Sequence, residues 1–408
     1  MSRSAELLDQ WQEVMMPNYG IPPLVLSHGI GSKVWDMEGN EYLDLIAGIA
    51  TSTLGHAHPG IASAVGNQAS TLIHTSNLFA HEPGLVLAQR LVSLVGVPAK
   101  VFFCQDGATA NEAAYKLARK HGHTQDPSGA KVQIIAAERS FHGRTMGALS
   151  ITGSLAKREP FEPLPGPVTF VPYGDVDALK AAISDRTAAV FLEPVLGEGG
   201  VIPAPEGYLA AARAVCDAVG ALLVIDEVQS GIGRTGHWFA SIAAGVRPDV
   251  ITLAKGLAGG MPLGACIGLG EAGSLFAAGD HGSTFGGNPV SCAAALAVLD
   301  VIEQEDLLTN VKSVGQHWEQ RFTAIDHPML MGSRGVGLWR ALELAAPIAK
   351  AVEIAARDKG FLVNAVAPDA IRLAPPLNLT IAEADEFADA LPSILDAATT
   401  AASPGVRT

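Results

Sequence analysis

Seven short apolar runs are the feature of this sequence that most constrains its fold. They are VFFC at 101–104, VQIIA at 132–136, VTFV at 168–171, AAVFL at 188–192, LLVI at 222–225, VITLA at 250–254 and GACIGL at 264–269. Uninterrupted apolar runs of this length are typical of strands buried on both faces, and the helical patterns between most of them predict crossover connections. The sequence therefore predicts an α/β fold with a seven-stranded, mostly parallel sheet in a large domain.

The remainder of the chain is predicted to form two further parts. After Gly287 the sequence changes to long alanine-rich helical segments and then to a shorter α/β stretch. We predict a large domain over 61–309, a smaller C-terminal α/β domain over 310–408, and an N-terminal segment over 1–60 that packs with the small domain. The insert at 121–131 is rich in Gly, Pro and Ser and is predicted to be a loop.

Charge and cysteine usage exclude several classes of protein. The net charge is −14, which argues against a nucleic acid or an anionic membrane as partner, because both require a basic patch. No apolar run reaches the roughly 18 residues of a membrane helix, and the N-terminus has no signal-peptide pattern. The four cysteines lie far apart in apolar runs, with no C-x-x-C pair. We therefore expect buried, reduced thiols in a cytoplasmic protein.

A carboxylate and an amine follow two neighbouring predicted strands. Asp226 ends one apolar run and Lys255 follows the next, at the edge where open α/β sheets bind their ligands. Alone, either group is best interpreted as a solvated strand end. Together they suit pyridoxal 5'-phosphate, which needs an amine for its aldehyde and an acid for its ring nitrogen. We interpret Gly256, directly after Lys255, as leaving room for a bulky adduct.

Two glycine-containing segments are candidate phosphate sites. Gly231–Gly236 matches G-x-G-x-x-G, but the strand after it ends in Lys255 and no helix of normal length follows, so we set aside nucleotide binding. At the other segment, a strand leads through Gly107 into a helix whose first free amides, on Gly107 and Ala108, are expected to donate to a phosphate. Thr109 and Glu112 match a T-x-x-E capping box, so a well-capped helix is the alternative, and both interpretations can hold.

The segment FHGRT carries groups that suit an anionic aromatic ligand. In FHGRT, Phe141 could stack on a pyridine ring and Arg144 could bind a carboxylate with two hydrogen bonds. Glu198 and Arg372 are unremarkable in isolation, because surface ion pairs are common. None of these residues would identify a function alone.

Metal sites and two other enzyme classes find no support. His56 and His58, and likewise His121 and His123, lack a third ligand at helical spacing, so we predict no metal site. The sequence contains neither a G-x-S-x-G elbow nor a G-x-x-x-x-G-K-[ST] phosphate loop, the marks of many hydrolases and kinases.

An ordered set of motifs gives the chain a family resemblance from about Ser27 to Leu391. GHAHP, HTSNLF, FHGRTMGAL, DEVQSGIGRTG, LAKG, HGSTFGGNP and IRLAPPL occur in this order. In these motifs the chain resembles the class III pyridoxal-phosphate aminotransferases of fold type I, the fold of aspartate aminotransferase, and among them those that act on N-acetylornithine. The resemblance implies a homodimer with shared active sites, amino transfer from N-acetylornithine to 2-oxoglutarate, and a place in arginine biosynthesis.

The resemblance also implies a role for each site residue. Lys255 forms the Schiff base and then carries the proton between substrate and cofactor. The other cofactor contacts are Asp226 at the ring nitrogen, Gln229 near the phenolic oxygen, Phe141 and Val228 on the two ring faces, Gly107 and Ala108 at the phosphate, and Thr284 at the phosphate of the neighbouring subunit. For the substrates, Arg144 holds the carboxylate of acetylornithine, Arg372 holds the α-carboxylate of glutamate or 2-oxoglutarate, and Glu198 pairs with Arg372 when that carboxylate is absent.

The chain departs from the family pattern beside the phosphate site. Where the family has N-S-G-[AT]-E, residues 105–109 read Gln-Asp-Gly-Ala-Thr, and Leu196 replaces a frequent glutamine. A carboxylate at Asp106 is expected to weaken cofactor binding unless it turns away as a helix cap. The alternatives that remain are another ω-aminotransferase, with ornithine, succinyl-diaminopimelate or 4-aminobutyrate as donor, an aminomutase, and a non-catalytic paralogue.

Overall fold

The computed structural model describes residues 2–402. Its strands are β1 Leu26–Ile30, β2 Lys33–Asp36, β3 Glu41–Asp44, β4 Ala99–Cys104, β5 Gln133–Ala137, β6 Val168–Val171, β7 Thr187–Leu192, β8 Val195–Leu196, β9 Ile202–Pro203, β10 Leu222–Asp226, β11 Val250–Leu253, β12 Gly264–Leu269, β13 Leu330–Val336, β14 Trp339–Leu344, β15 Phe361–Leu362, β16 Asn364–Ala367 and β17 Ala370–Leu373. Its helices are α1 Arg3–Val14, α2 Ala47–Ala50, α3 Pro59–Thr71, α4 Glu82–Val95, α5 Gly107–Gln125, α6 Met146–Ser150, α7 Leu155–Arg158, α8 Val176–Ala182, α9 Tyr208–Val219, α10 Ala240–Ala243, α11 Pro289–Gln304, α12 Leu307–Ala324, α13 Ala349–Asp358 and α14 Ile381–Ala402.

The seven predicted strands form one sheet, in the order β4-β12-β11-β10-β7-β5-β6. Neighbouring strands from β11 to β6 are parallel, whereas β12 is antiparallel to both β4 and β11. The segment between β11 and β12 is too short for a helical crossover, so the chain turns back beside β11. The prediction of a seven-stranded, mostly parallel sheet is confirmed.

Both faces of this sheet are buried, as the uninterrupted apolar runs require. In β7, Phe191 packs into the hydrophobic cluster on one face and Leu192 into the cluster on the other, and both side chains have no exposed surface. Burial of each such side chain contributes about 2 kcal/mol to stability. Two-sided burial thus fixes the sheet as a rigid platform, with its loops free to carry the site.

The C-terminal part is built on a second, antiparallel sheet in the order β13-β14-β17-β16. It packs with α12, α13 and α14, around the buried rings of Trp318, Phe322 and Phe387. The N-terminal strands β1, β2 and β3 form a third sheet, which β15 joins by parallel pairing with β3. The division of the chain into domains at 60 and 309 stays a prediction.

The insert at 121–131 is helical up to Gln125, so its prediction as a loop was wrong for that part and is confirmed from Asp126 onward. Helix α5 continues to Gln125, because Gly122 packs without a side chain against Lys131 and the helix ends only at Asp126. The Asp126 carboxylate then accepts hydrogen bonds from the backbone of Ser128 and Ala130, which closes the turn. The actual loop is therefore confined to 126–132, between α5 and β5.

Two features concern the whole described chain. Within residues 2–402, no helix combines the length and apolar character needed to span a membrane. Cys104, Cys216, Cys266 and Cys292 are buried and form no disulfide. Burial raises the pKa of Cys104 to about 11 and those of Cys216 and Cys292 to about 12.

Candidate active site

A cavity of about 460 Å³ opens at the carboxyl edge of the central sheet. Strands β4, β5, β7, β10 and β11 all end at this edge, so residues far apart in sequence converge there. The cavity is lined by most of the predicted site residues, namely Gly107, Ala108, Phe141, Arg144, Glu198, Asp226, Val228, Gln229 and Lys255. Arg372 reaches the site through Glu198. Thr284 is exposed and lies outside the cavity lining.

The N-terminus of α5 faces the cavity and is capped by Asp106. The Asp106 carboxylate accepts from the backbone N–H of Thr109 at 2.7 Å, and the Thr109 hydroxyl accepts from the Asp106 N–H at 3.1 Å. The predicted T-x-x-E box was therefore wrong by three residues, because Asp106 is an equally good cap one turn earlier. The carboxylate of Glu112 accepts instead from the backbone of Gly147, at 2.7 Å, and of Ala148.

The first amides of α5 remain free for a ligand. Within residues 2–402, no hydrogen bond uses the N–H of Gly107 or Ala108. A Cβ on Gly107 would lie 2.7 Å from Val228, and one on Gly143 would lie 2.6 Å from the Cβ of Ala108. These glycines allow the loops after β5 and β10 to approach the helix end closely. The result is a small cradle that suits a phosphate.

Asp226 is held at the floor of the cavity by three donors. Its Oδ1 accepts from the backbone of Val228 at 2.9 Å, and its Oδ2 accepts from Asn111 at 2.7 Å and bonds His142 Nδ1 at 2.8 Å. The Thr252 hydroxyl donates in turn to Asn111 Oδ1 at 2.8 Å. Burial lowers the pKa of His142, but the hydrogen bond and charge of Asp226 outweigh it, and the net shift is upward.

Asn111, His142 and Thr252 were missed by the sequence reasoning. His142 lies inside the quoted FHGRT motif and was passed over for its neighbours. Asn111 lies one turn into α5, on the side that faces the sheet, where a buried polar residue in an alanine-rich face is the only signal. Thr252 carries no signal, because threonine is common in strands.

Lys255 follows β11 in a left-handed backbone conformation, with φ of 44°. A non-glycine residue there is strained by about 1 kcal/mol, and such strain clusters at functional sites. Burial lowers the pKa of Lys255 to about 8, and the positive charge of Arg372 acts in the same direction. The interpretation of Gly256 was wrong: a Cβ there would meet Thr53 Oγ1 at 2.6 Å, so the glycine makes room for Thr53.

Glu198 and Arg372 form an ion pair beside the cavity. Arg372 lies in β17 with 3% of its side chain exposed, donates to Glu198 Oε1 at 2.6 Å and donates to Asn364 Oδ1 at 2.7 Å. Burial raises the pKa of Glu198, but the charge and hydrogen bond of Arg372 outweigh it and the net shift is downward. Arg144 is exposed at the mouth, with its guanidinium 5.7 Å from the centre of the Phe141 ring.

Two further polar side chains line the cavity wall. Glu193 accepts from the backbone of Phe141 at 2.9 Å and of Gly197 at 3.3 Å, and burial raises its pKa to about 7. Gln229 Nε2 is buried with no hydrogen-bond partner among the described residues. An orphaned buried donor of this kind suits a ligand acceptor. Within residues 2–402, no cluster of three or more His, Cys, Asp or Glu side chains is placed to hold a metal ion.

The chain is similar to aminotransferases over nearly its whole length. The family model "Aminotransferase class-III" matches residues 14–395. An acetylornithine aminotransferase of Mycolicibacterium smegmatis is 54% identical over 96% of this chain and 98% of its own. One from Streptomyces coelicolor is 52% identical over 96% of both.

Solved structures show the same relationship. The ornithine aminotransferase of Toxoplasma gondii has a TM-score of 0.92 at 30% identity, covering 98% of this chain and 97% of its own. The N-acetylornithine aminotransferase of Stenotrophomonas maltophilia has a TM-score of 0.83 at 35% identity, covering 94% of this chain and 99% of its own.

The fold and the site together define an enzyme of the fold type I, pyridoxal-phosphate-dependent transferase class. Within that class, the chain belongs to the class III aminotransferase family.

Proposed function

We propose that this enzyme transfers the 5-amino group of N-acetylornithine to 2-oxoglutarate, with pyridoxal 5'-phosphate as its cofactor. The observation that carries the proposal is the Glu198–Arg372 pair at 2.6 Å, beside the cavity that Lys255 and the exposed Arg144 also line. N-acetylornithine has no carboxylate on the carbon that bears the reacting 5-amino group, so it can bind while Glu198 stays paired with Arg372. Glutamate and 2-oxoglutarate do carry this carboxylate, and they require Arg372 to be free. The relatives named acetylornithine aminotransferase, at 52–54% identity, support this choice of donor.

The residues of the cavity fit the proposed cofactor. The free amides of Gly107 and Ala108 suit its phosphate, the carboxylate of Asp226 suits its ring nitrogen, and Gln229 Nε2 suits its phenolic oxygen. Phe141 and Val228 would cover its two faces. When bound, this cofactor supplies an electron-withdrawing ring that stabilises negative charge at the substrate carbon.

The chain's own residues then handle charge and protons. Asp226, fixed by three donors, holds a proton on the ring nitrogen through a charge-assisted hydrogen bond. Lys255 Nζ, with a pKa lowered to about 8, is poised both to give and to take a proton near neutral pH. Arg372 and Arg144 orient the substrate carboxylates, and bidentate binding fixes their direction.

The enzyme is further proposed to be a homodimer in which Thr284 serves the partner's site. Asn77 donates to the backbone of Ser283 at 2.7 Å and of Gly286, so the segment 72–79 lies against the loop that carries Thr284. Leu78 is 85% exposed, and Ile73, Phe79 and Phe285 are also exposed. Exposed apolar side chains on two adjoining segments are typical of a protein interface.

A mixed-dimer experiment tests the shared site. A subunit with Lys255→Ala and a subunit with Thr284→Ala are each expected to be defective as homodimers. Coexpressed, they form heterodimers in which one site receives Lys255 from one chain and Thr284 from the other, so activity should return. No recovery in isolated heterodimers would contradict the shared site.

The donor is tested by steady-state kinetics with N-acetylornithine, ornithine, succinyl-diaminopimelate and 4-aminobutyrate. N-acetylornithine should give the highest kcat/KM, and a better value for another donor would refute the proposal. Ornithine is the second candidate, because the ornithine aminotransferase structure superposes over almost the whole chain. An aminomutase would have no need for the Glu198–Arg372 pair.

Four buried, unpaired cysteines support the further proposal of a cytoplasmic setting.

A further inference from the structure

A third cation, Lys157, lies beside the Glu198–Arg372 pair. It belongs to the short helix α7, and its Nζ is 4.0 Å from Glu198 Oε2, whereas Arg372 binds the other carboxylate oxygen, Oε1. The same Nζ lies 5.0 Å from the centre of the Phe141 ring, which confines it near the cavity mouth. Both Lys157 and Glu198 side chains are 30% exposed. The Glu198 carboxylate is therefore held between two positive charges.

The pairing with Arg372 must break when a substrate carboxylate binds there. The guanidinium of Arg372 already donates to Glu198 and Asn364, and its buried Nε has no partner among the described residues. A carboxylate that binds with two hydrogen bonds needs an edge that Glu198 occupies. Glu198 then becomes a partly buried carboxylate without a partner, which is costly unless another cation receives it.

The backbone around Glu198 restricts where its carboxylate can go. The Gly200 carbonyl accepts from Arg334 Nε at 2.9 Å, the Gly199 carbonyl accepts from Arg139, and the Gly197 N–H donates to Glu193. The main chain is thus anchored on both sides, and only the side chain can turn. A rotation that shortens the 4.0 Å separation by about 1 Å gives an ordinary charge-assisted hydrogen bond to Lys157.

We propose that Lys157 is a positioning residue that receives Glu198 when 2-oxoglutarate or glutamate occupies Arg372. Lys157 thereby favours the state in which Glu198 has left Arg372. It sets the affinity for the dicarboxylate substrate without contacting that substrate. Burial lowers the pKa of Lys157, and the charges of Arg144 and Arg372 act in the same direction, whereas the charge of Glu198 opposes them. The protonated form of Lys157 is therefore stabilised when the Glu198 carboxylate moves closer. The inference rests on the proposed use of Arg372 as the dicarboxylate site.

The test measures binding of glutarate, an unreactive five-carbon dicarboxylate, to the holoenzyme by titration calorimetry. Lys157→Met should weaken glutarate binding about fivefold, the factor expected for a partly exposed ion pair, and Lys157→Arg should restore affinity to within about twofold. In a Glu198→Gln background, Lys157→Met should change the affinity less than about twofold, because a neutral side chain needs no cation. Lys180→Met, on the exposed side of α8, is the charge-matched control and should leave binding unchanged.

Single-turnover kinetics separate the two halves of the reaction. Lys157→Met should slow the half-reaction with 2-oxoglutarate at subsaturating concentration and leave that with N-acetylornithine unchanged. If Lys157→Met weakens glutarate equally in the Glu198→Gln background, Lys157 contacts the dicarboxylate directly. If Lys157→Met leaves the glutarate affinity of the otherwise wild-type enzyme unchanged, Glu198 turns to solvent. Either result overturns the inference. Failure of the wild type to react with N-acetylornithine would instead refute the proposed donor. The glutarate-binding measurements on the variants do not depend on that donor.

Discussion

Replacing Asp106 by asparagine separates the two roles of this residue, as helix cap and as a negative charge beside the phosphate cradle. Asparagine is isosteric and caps helices as well as aspartate does, so it can accept from the Thr109 N–H as the carboxylate does at 2.7 Å. The charge at the end of α5 is removed and the cap is kept. We expect the cofactor to bind more tightly to Asp106→Asn than to the wild type.

The magnitude follows from Coulomb's law. A phosphate dianion on the amides of Gly107 and Ala108 would lie about 7 Å from a carboxylate on the preceding residue. Asp106 is exposed, so a water-like dielectric constant of about 80 applies, and the repulsion is about 1 kcal/mol. The dissociation constant of pyridoxal phosphate should therefore fall about fivefold. Asp106→Ala removes charge and cap together and should also cost about 1 kcal/mol of helix stability.

The assay is a titration of cofactor-free enzyme with pyridoxal phosphate, followed by tryptophan fluorescence at two salt concentrations. Screening over a Debye length of about 10 Å at 0.1 M salt should reduce the difference between Asp106→Asn and wild type as salt rises. An unchanged or weaker affinity in Asp106→Asn, or a gain that does not depend on salt, would refute the electrostatic reasoning. Thermal unfolding of the cofactor-free proteins checks that the cap is intact.

Three further predictions concern the cavity floor and wall. Lys255→Ala should still bind the cofactor but lose at least about 10²-fold in amino transfer, measured by single-turnover absorbance, and near-normal rates would contradict its assignment. Because burial lowers the pKa of Lys255 to about 8, the rate at which cofactor-free enzyme captures pyridoxal phosphate covalently should rise with pH and level off above about 8. A midpoint of this rate profile near pH 10.5 would argue against a buried amine. Burial raises the folded-state pKa of Glu193 from 4.5 to about 7, so the wild type loses stability as pH rises through that window. The free energy of unfolding of Glu193→Gln, measured by chemical denaturation, should therefore rise relative to that of the wild type by about 1 to 3 kcal/mol between pH 4.5 and 7. Parallel pH profiles of the two proteins would refute this.

The central sheet could be predicted because its signal is local. Each buried strand is written as an uninterrupted apolar run, and Phe191 and Leu192 show why: neighbouring residues enter different cores. The reversal of β12 was not visible, since antiparallel and parallel buried strands have the same composition. The end of α5 was misplaced because Gly, Pro and Ser suggested a loop, whereas a close packing contact at Gly122 extends the helix.

The candidate site could be predicted where a residue carries a rare functional group at a strand end, as Lys255 and Asp226 do. The supporting residues could not, because Asn111 and Thr252 act only through contacts between segments that are distant in sequence. The cap was misassigned since Thr109 is a good capping residue in its own right, and only the backbone geometry shows that Asp106 precedes it. Lys157 had no signal, because nothing in sequence places α7 beside Glu198.

The four cysteines have a practical consequence for experiments on this enzyme. Thiols react as thiolates, and burial both raises the thiol pKa values and excludes reagents from Cys104, Cys216, Cys266 and Cys292. We therefore expect the native protein to react only slowly with maleimide dyes. A single cysteine introduced on an exposed face, for example at Lys180, would be the dominant attachment point for a fluorophore without removal of the natural cysteines. Exchange of subunits in the proposed homodimer could then be tested by energy transfer in otherwise unaltered protein.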